Sequence, residues 1–541
     1  MSRSAGAVGR VTTSLEHFLG AAGAWSVAGS LLVLPLPFVL GLAPPAYLAT
    51  ATLIGVLAAL VVIAEPRASR RLVWSVFALA FLCRMVVLVI LAMVQLRHEG
   101  GLVLGPDGIV HFQKSLQLAV RGWSWPVANV VVWGTWDVGH LYLFAALIRG
   151  LGADLFALQV FNCGLSALNA ALTLSAVRLV RPQYAAAVAL LVALYPASIT
   201  LASFDLMKDA SVSFASLAAV WGLLRAWYGA SGCSRAAFAL LASLALAYLR
   251  CTRSYVVVYL EVAMVTLLPL AFVRRLPVWR ARSRLAVLAI TLLVVEAGTW
   301  SLGWPLSPQL MVNQIRYTLR TPAMLQYAPG LVERAQDRSG PTSTPANQAG
   351  ASPAPTPFRL PTAGSSTPSA ASGTNIVYVP SPAEARSGRE PARGPVATVA
   401  NIFRRLYGPF IWIRPPSWDA RVLLRGDYMA YPGMALWYAA LPFMIVGLAT
   451  VIAAVVTGRE TNLPLAALAV FVTCYFAQYL AINLSYRQRE VMFPFLAIFA
   501  CAGWSSVVRF SRWRLAYGVY WIALAVVATV HLIARALLAR G

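Results

Sequence analysis

The sequence predicts an all-α polytopic membrane protein with about 13 transmembrane helices, interfacial helices in the first outside loop and a long, partly disordered outside loop. Three observations lead there. Of 541 residues, 60% are hydrophobic and 11% charged, whereas soluble globular chains are roughly one quarter charged. Apolar runs of spanning length recur from end to end, and the mean hydropathy is +0.72. The basic residues collect mostly in the loops of one side, the bias that cytoplasmic loops show. The same bias accounts for the formal net charge of +25, so no nucleic-acid partner is expected.

Taken in order, MSRSAGAVGR is basic and runs into a full-length apolar stretch. It is expected to be a cytoplasmic tail before a retained anchor rather than a cleaved signal peptide. The expected spans are Trp25–Leu42, Tyr47–Ala64, Leu72–Leu96, Leu155–Val180, Tyr184–Ser203, Leu206–Tyr228, Ala236–Leu249, Tyr255–Val273, Leu285–Trp304, Met429–Thr457, Leu463–Asn483, Val491–Val508 and Ala516–Ala539. Ala236–Leu249 is short for a span of about 20 residues, yet without it every later loop carries its charge on the wrong side. With a cytoplasmic N-terminus, the inside loops hold Arg67, Arg70 and Arg71, then Arg178 and Arg181, Arg225 and Arg235, the arginines of 274–284, Arg459, and Arg509, Arg512 and Arg514. Val127–Leu151 must then not cross. Trp136-Asp137, Gly139-His140 and Arg149 interrupt it, as suits an interfacial or re-entrant helix.

The chain divides into a tail and two-helix hairpin (1–71), a transmembrane module (72–304), a large outside loop (305–428) and C-terminal helices (429–541). Within the loop, 330–397 is so rich in Pro, Ser, Thr, Ala and Gly that it cannot bury a core, and disorder is expected. Asn401–Trp418 (NIFRRLYGPFIWIRPPSW) returns to an amphipathic aromatic pattern suited to a membrane surface. The six cysteines are scattered, without a CxxC pair or a Cys/His cluster, so no zinc or redox centre is expected.

The remaining polar residues fall outside. The elbow Tyr195–Ala210 (YPASITLASFDLMKDA) joins two apolar runs, with Asp205, Lys208 and Asp209 at i, i+3 and i+4, one face of a helix. Ionisable groups there are costly and suggest a functional site by default. The plainer alternative is that Lys208 neutralises carboxylates favoured by a helix N-terminus. Asp107, in GPDGIVHFQKSLQLAVRGW, suits a helix cap and also heads a polar strip continued by His111, Lys114 and Gln117. Arg250 and Arg253 (LRCTRSY) close the short span, and Arg487, Arg489 and Glu490 (SYRQREV) open a later one. A single arginine at a helix end can snorkel. Two pairs on the side that disfavours positive charge ask for an anionic partner, and phosphate fits, because arginine binds it bidentately and stays charged in apolar surroundings.

Asp107 with its aromatic-basic helix, LYLFAALIRGLG followed by LFALQVFNCGLSALNAAL, YPASITLASFDLMKDA, and YRQREVMFPFLAIFACAG resemble the GT-C superfamily of membrane glycosyltransferases. That superfamily includes protein O-mannosyltransferases and the lipid A aminoarabinose transferase. The resemblance covers much of Leu72 to Trp504 and omits the first two spans and the Pro-rich insert. It implies a polyprenyl-phosphate-sugar donor and an acidic base in the first outside loop, which maps onto Asp107. It also implies a further acidic residue in the second, which maps onto Asp205 or Asp209. Where many relatives have two adjacent acidic residues this chain has Asp107-Gly108, and no DxD occurs, so neither a metal nor another cofactor is expected.

Such a transfer needs a base for the acceptor hydroxyl, worth roughly 10²–10⁴-fold, cations for the leaving phosphate, and a membrane groove for the lipid tail. Asp107 is the expected base in an inverting attack. Arg250, Arg253, Arg487 and Lys208 are expected to hold the phosphate, with His111, Lys114 and Arg489 also binding substrate and Asp205 or Asp209 orienting Lys208 or the acceptor. One carboxylate suffices, since a leaving phosphate needs little protonation. The acceptor is expected to be a cell-envelope glycan, lipid or protein, and the location a bacterial inner membrane. Two rivals remain: a surface-polysaccharide polymerase or ligase, and a lipid or solute transporter or flippase. The last puts charges and broken helices near the bilayer midplane, where Arg84 and Glu261 fit best.

Overall fold

The computed structural model describes residues 2–99, 102, 104, 106–122, 138–204, 206, 208–273, 286, 289–291, 293–298, 431–459, 462–481 and 486–538. The elements are α1 (Ser2–Val33), α2 (Leu36–Val39), α3 (Ala46–Ile63), α4 (Arg67–Glu99), α5 (Pro106–Arg121), α6 (Gly139–Leu151) and α7 (Leu155–Val180). After a 3₁₀ turn at Pro182–Tyr184 come α8 (Ala185–Ala193), α9 (Pro196–Phe204), α10 (Asp209–Tyr228) and α11 (Gly232–Val273), then α12 (Tyr431–Val456), α13 (Leu463–Ala481), α14 (Tyr486–Arg509) and α15 (Ser511–Leu538). Among the described residues, 8 helices are long and apolar enough to cross a membrane, or 9 if the bent pair Pro182–Ala193 and Pro196–Phe204 counts as one span. This is a multi-pass membrane protein. The other expected spans correspond to the second half of α11 and to the shorter helices Ala289–Gly298, Leu463–Gln478 and Val491–Val507. The Pro-rich 330–397 and the amphipathic Asn401–Trp418 lie outside the described residues. α6 has 13 residues, about 20 Å at 1.5 Å per residue, too short to cross.

α7 is the hub. Lipid gives helices no hydrophobic reason to associate, so close backbone approach and interhelical hydrogen bonds hold a bundle together. α7 supplies both. It is buried on every side against α3, α4, α8, α9 and α10, and a Cβ on Gly164 would run into Ile54 of α3. Its polar residues Gln159, Asn162, Ser166, Asn169 and Thr173 recur at spacings of three and four, one helix face. From this stripe Asn169 Nδ2 donates to Ser213 Oγ of α10 at 3.0 Å, and Gln159 Nε2 to the Phe204 carbonyl of α9 at 3.3 Å. Left-handed Gly152 (φ +64°) ends α6. Asp154 then caps α7 by accepting the Ala157 N–H at 2.8 Å. Burial raises the Asp154 carboxyl above its ordinary pKa, against the downward pull of that amide.

α11 is two legs rather than one rod. Arg253 has non-helical backbone angles (φ −157°, ψ 74°). Before it, Phe238 and Ala242 pack on Gly222 in the middle of α10. At it, Arg253 meets Asp209 at the start of α10. Beyond it, Leu260, Ala263 and Met264 lie beside Val220, Leu223 and Leu224 of α10. The chain therefore climbs α10 and descends it again, so the short run Ala236–Leu249 forms a leg of its own.

α12 and α14 cross in near-contact. A methyl on Gly447 would overlap the Phe499 carbonyl, and one on Gly503 the Phe443 carbonyl. Arg489, early in α14, reaches Met434, early in α12. Contacts near both the starts and the middles, at nearly the same offset, make the helices parallel, so α13 between them must return the length of the bundle. α15 closes this side, its Tyr520 donating to the Tyr438 carbonyl at 3.0 Å. Its outer face leaves Leu515, Ile522 and Val530 to the lipid. Replacing Gly447 or Gly503 by Leu is expected to cost about 1–3 kcal/mol through overpacking, read as a lower thermal midpoint in detergent. Gly518→Leu on α15, where an added Cβ meets nothing within 4 Å, is expected to leave the midpoint unchanged.

Candidate active site

The span leading into the elbow is broken at Leu194–Pro196, where α8 and α9 meet at 43°. Pro196 has no N–H with which to continue the helix. Arg84 of α4, 0% exposed, spans the break. It donates to the Ala193 carbonyl at 2.9 Å, to Ser198 Oγ at 2.8 Å, to Ser166 Oγ of α7 at 2.8 Å and to its own helix at Ala80 at 2.9 Å. Ser203 of α9 donates back to the Arg84 carbonyl at 3.0 Å.

Beyond α9 the chain turns rather than continuing as a helix. Leu206 belongs to no helix and α10 begins at Asp209. Lys208 lies in the turn and Asp209 opens α10, so the helix face expected from the spacing does not run through Lys208. A carboxylate is favoured in a helix's first turn, and the helix starts at Asp209 instead of running through it. Asp209 is buried and paired with Arg253 at 2.9 Å; Lys208 is half-buried. Asp205 lies outside the described residues.

Other segments arrive at the same end. His111 Nδ1 of α5 lies 3.2 Å from the Leu206 carbonyl in the elbow, and its ring packs edge-on against His140 of α6, with centroids 4.3 Å apart. Next to His140, a Cβ on Gly139 would meet Cys251 Cβ at 3.0 Å, which sets the start of α6 on the α11 reversal. Arg250 is ion-paired with Glu296 at 2.8 Å. Arg489 is buried, 5.3 Å over the Trp437 ring. One helical turn further along α14, Phe493 stacks on Tyr195 at 3.6 Å, beside the cavity that Asp209 lines.

The structure thus brings together α5, the elbow, the α11 reversal and the start of α14. Asp107 is the second residue of α5, one turn before His111; its side chain, like that of Arg487, lies outside the described residues. Lys114 is half-buried on α5. Arg250, Arg253 and Arg489 are buried, and the first two are paired with protein carboxylates. Sequence reasoning passed over His140 and Asn169. The polar stripe of α7 was the signal available for Asn169, and His140 was read only as an interruption of the apolar run Val127–Leu151. Among the described residues, no group of three His, Cys, Asp or Glu side chains is gathered closely enough to hold a metal.

A second charged cluster sits at the opposite end. Buried Glu65, just past α3, accepts from Ser175 of α7 and pairs with Arg225 of α10. Arg70 donates to the Glu65 carbonyl at 3.0 Å, and Arg178 lies 3.4 Å from Glu16. Arg225, read from sequence as a loop charge, is in fact a structural tie.

The chain matches no known protein family and no curated protein. Fold and site together define the class: a multi-pass membrane protein, all-helical among the described residues, with buried charge clusters at both ends of the bundle.

Arg253→Leu is expected to destabilise by about 3–5 kcal/mol, because it strands a buried carboxylate. Asp209→Asn combined with Arg253→Gln is expected to recover part of that loss. A double-mutant cycle on unfolding checks both, and additive effects would deny the pairing. Arg84→Met is expected to lower stability by about 1–3 kcal/mol for each acceptor it orphans, measured the same way.

Proposed function

We propose that this protein is a GT-C-like membrane glycosyltransferase with about 13 spans. It moves a sugar from a polyprenyl-phosphate to a cell-envelope glycan, lipid or protein. The observation that supports this is the meeting, at one end of the bundle, of segments far apart in sequence: the helix that Asp107 opens, the elbow with Lys208 and Asp209, and the arginine-bearing reversal of α11. The extracytoplasmic side is assigned to this end because Arg70, Arg178 and Arg225 gather at the other, as cytoplasmic arginines do.

In this reading Asp107 takes the proton of the acceptor hydroxyl, and the hydroxyl oxygen attacks the anomeric carbon with inversion. The sugar–phosphate C–O bond breaks, and its electron pair leaves on the phosphate oxygen. Lys208 and Lys114, both half-buried, approach the leaving phosphate, together with Arg487. Arg250 and Arg253 are ion-paired within the protein and act from behind by fixing the reversal and the elbow. In a strain lacking the gene, the wild-type protein is expected to restore the envelope glycan. Asp107→Asn, at equal protein level, is expected to lower transfer by about 10²–10⁴-fold. Undiminished transfer by that variant removes Asp107 as the base.

Transport is the second reading, favoured by the broken span beside Arg84. Arg84 counts against it. Four hydrogen bonds to protein oxygens occupy most of a guanidinium's donors, which makes it a staple for the break. Uptake or lipid-flipping by the purified protein in vesicles, unaffected by Asp107→Asn, would favour the transporter.

A further inference from the structure

Between the Arg84 staple and the Asp209–Arg253 pair lies a cavity lined by Asn162, Asn169, Tyr195, Ser198, Asp209 and Ser213. The centre of a water molecule has about 20 Å³ in which to move there. One water needs roughly 10–15 Å³ on that measure, with two to four polar partners. Asn169 is 5% exposed. Its Nδ2 is used on Ser213 at 3.0 Å, while its Oδ1 is buried without a hydrogen-bond partner among the described residues. A buried amide oxygen left in this state costs about as much as a broken hydrogen bond.

The chemistry of the lining selects the occupant. Around the cavity, Arg84 contributes a positive charge through Ser166 and Ser198, and Asp209 is neutralised by Arg253. Among the described residues the net charge around the cavity is positive, which disfavours a metal cation. The unfilled position is an acceptor, which an anion cannot satisfy. A small neutral donor fits both conditions. We propose that this cavity binds one water molecule, held by an O–H to Asn169 Oδ1, with its second proton available to the Asp209 or Ser213 oxygens lining the same space. Asn169 is then a positioning residue: through the water it ties the polar stripe of α7 to the start of α10, where the elbow turns. The assignment is independent of the catalytic reading.

Millisecond hydroxyl-radical labelling of the full chain in lipid nanodiscs, with radicals generated in situ by X-rays and products read by mass spectrometry, tests it. Phe493 lines this cavity and Phe471 lines a larger, apolar one between α10, α11 and α13; both are 1% exposed. Phe493 is expected to be labelled several-fold faster, because a water beside it supplies the radical, while an apolar cavity stays dry. Asn169→Leu is expected to bring Phe493 down to the Phe471 rate. Equal rates in the wild type mean a dry cavity and overturn the proposal without any variant. Unchanged Phe493 labelling in folded Asn169→Leu overturns Asn169 as the residue that holds the water.

Discussion

A guanidinium buried in an apolar bundle must find its hydrogen-bond partners inside the protein, and Arg84 is the group on which the rest of this arrangement depends. Its partners lie on α4, α7, α9 and the end of α8. One of them, the Ala193 carbonyl, is open to it because α8 ends there, just ahead of Pro196. The break needs the arginine and the arginine needs the break. Together they fix the tilt of α9, and with it where the elbow emerges.

The same constraint governs both ends of the bundle. Asp209 pairs with Arg253, Arg250 with Glu296, and Glu65 with Arg225. Each pair joins elements distant in sequence, so the ties that hold charge in a low-dielectric interior also set the topology. Removing one partner of such a pair is costly, because it strands the other, whereas the intact pair adds modestly to stability. Arginines engaged in this way define shape more than they offer charge to a ligand. The proposed chemistry therefore leaves Arg250 and Arg253 behind the site, where they hold the reversal and the elbow in place.

Much of the architecture was legible. Leu155–Val180 was bounded correctly, because Asp154 caps its start and Arg181 ends it, with no charge before Arg178 in between. The short run Ala236–Leu249 was assigned as its own leg from loop charges alone, and the reversal at Arg253 is the structural counterpart. The break at Leu194–Pro196 lay inside one expected span. Its proline was visible, but nothing local indicates whether a proline kinks a helix or divides it. The helix face expected from the spacing of the elbow's charges does not extend through Lys208, because periodicity assumes a continuous helix and this one starts at Asp209.

The sequence by itself determined that the chain lives in a membrane, where its helices run, and which ionisable residues are too expensive to be incidental. These follow from hydropathy, helical period and loop charge, all of which act along the chain. Only the tertiary structure decided which charge neutralises which: that Arg253 answers Asp209, that Arg225 answers Glu65 just past α3, and that Arg84 holds a broken span. Coulomb and hydrogen-bond energies depend on distance in space, and a spacing of 44 or 82 residues along the chain, as between Asn169 and Ser213 or Arg84 and Ser166, carries no trace of a contact under 3.5 Å.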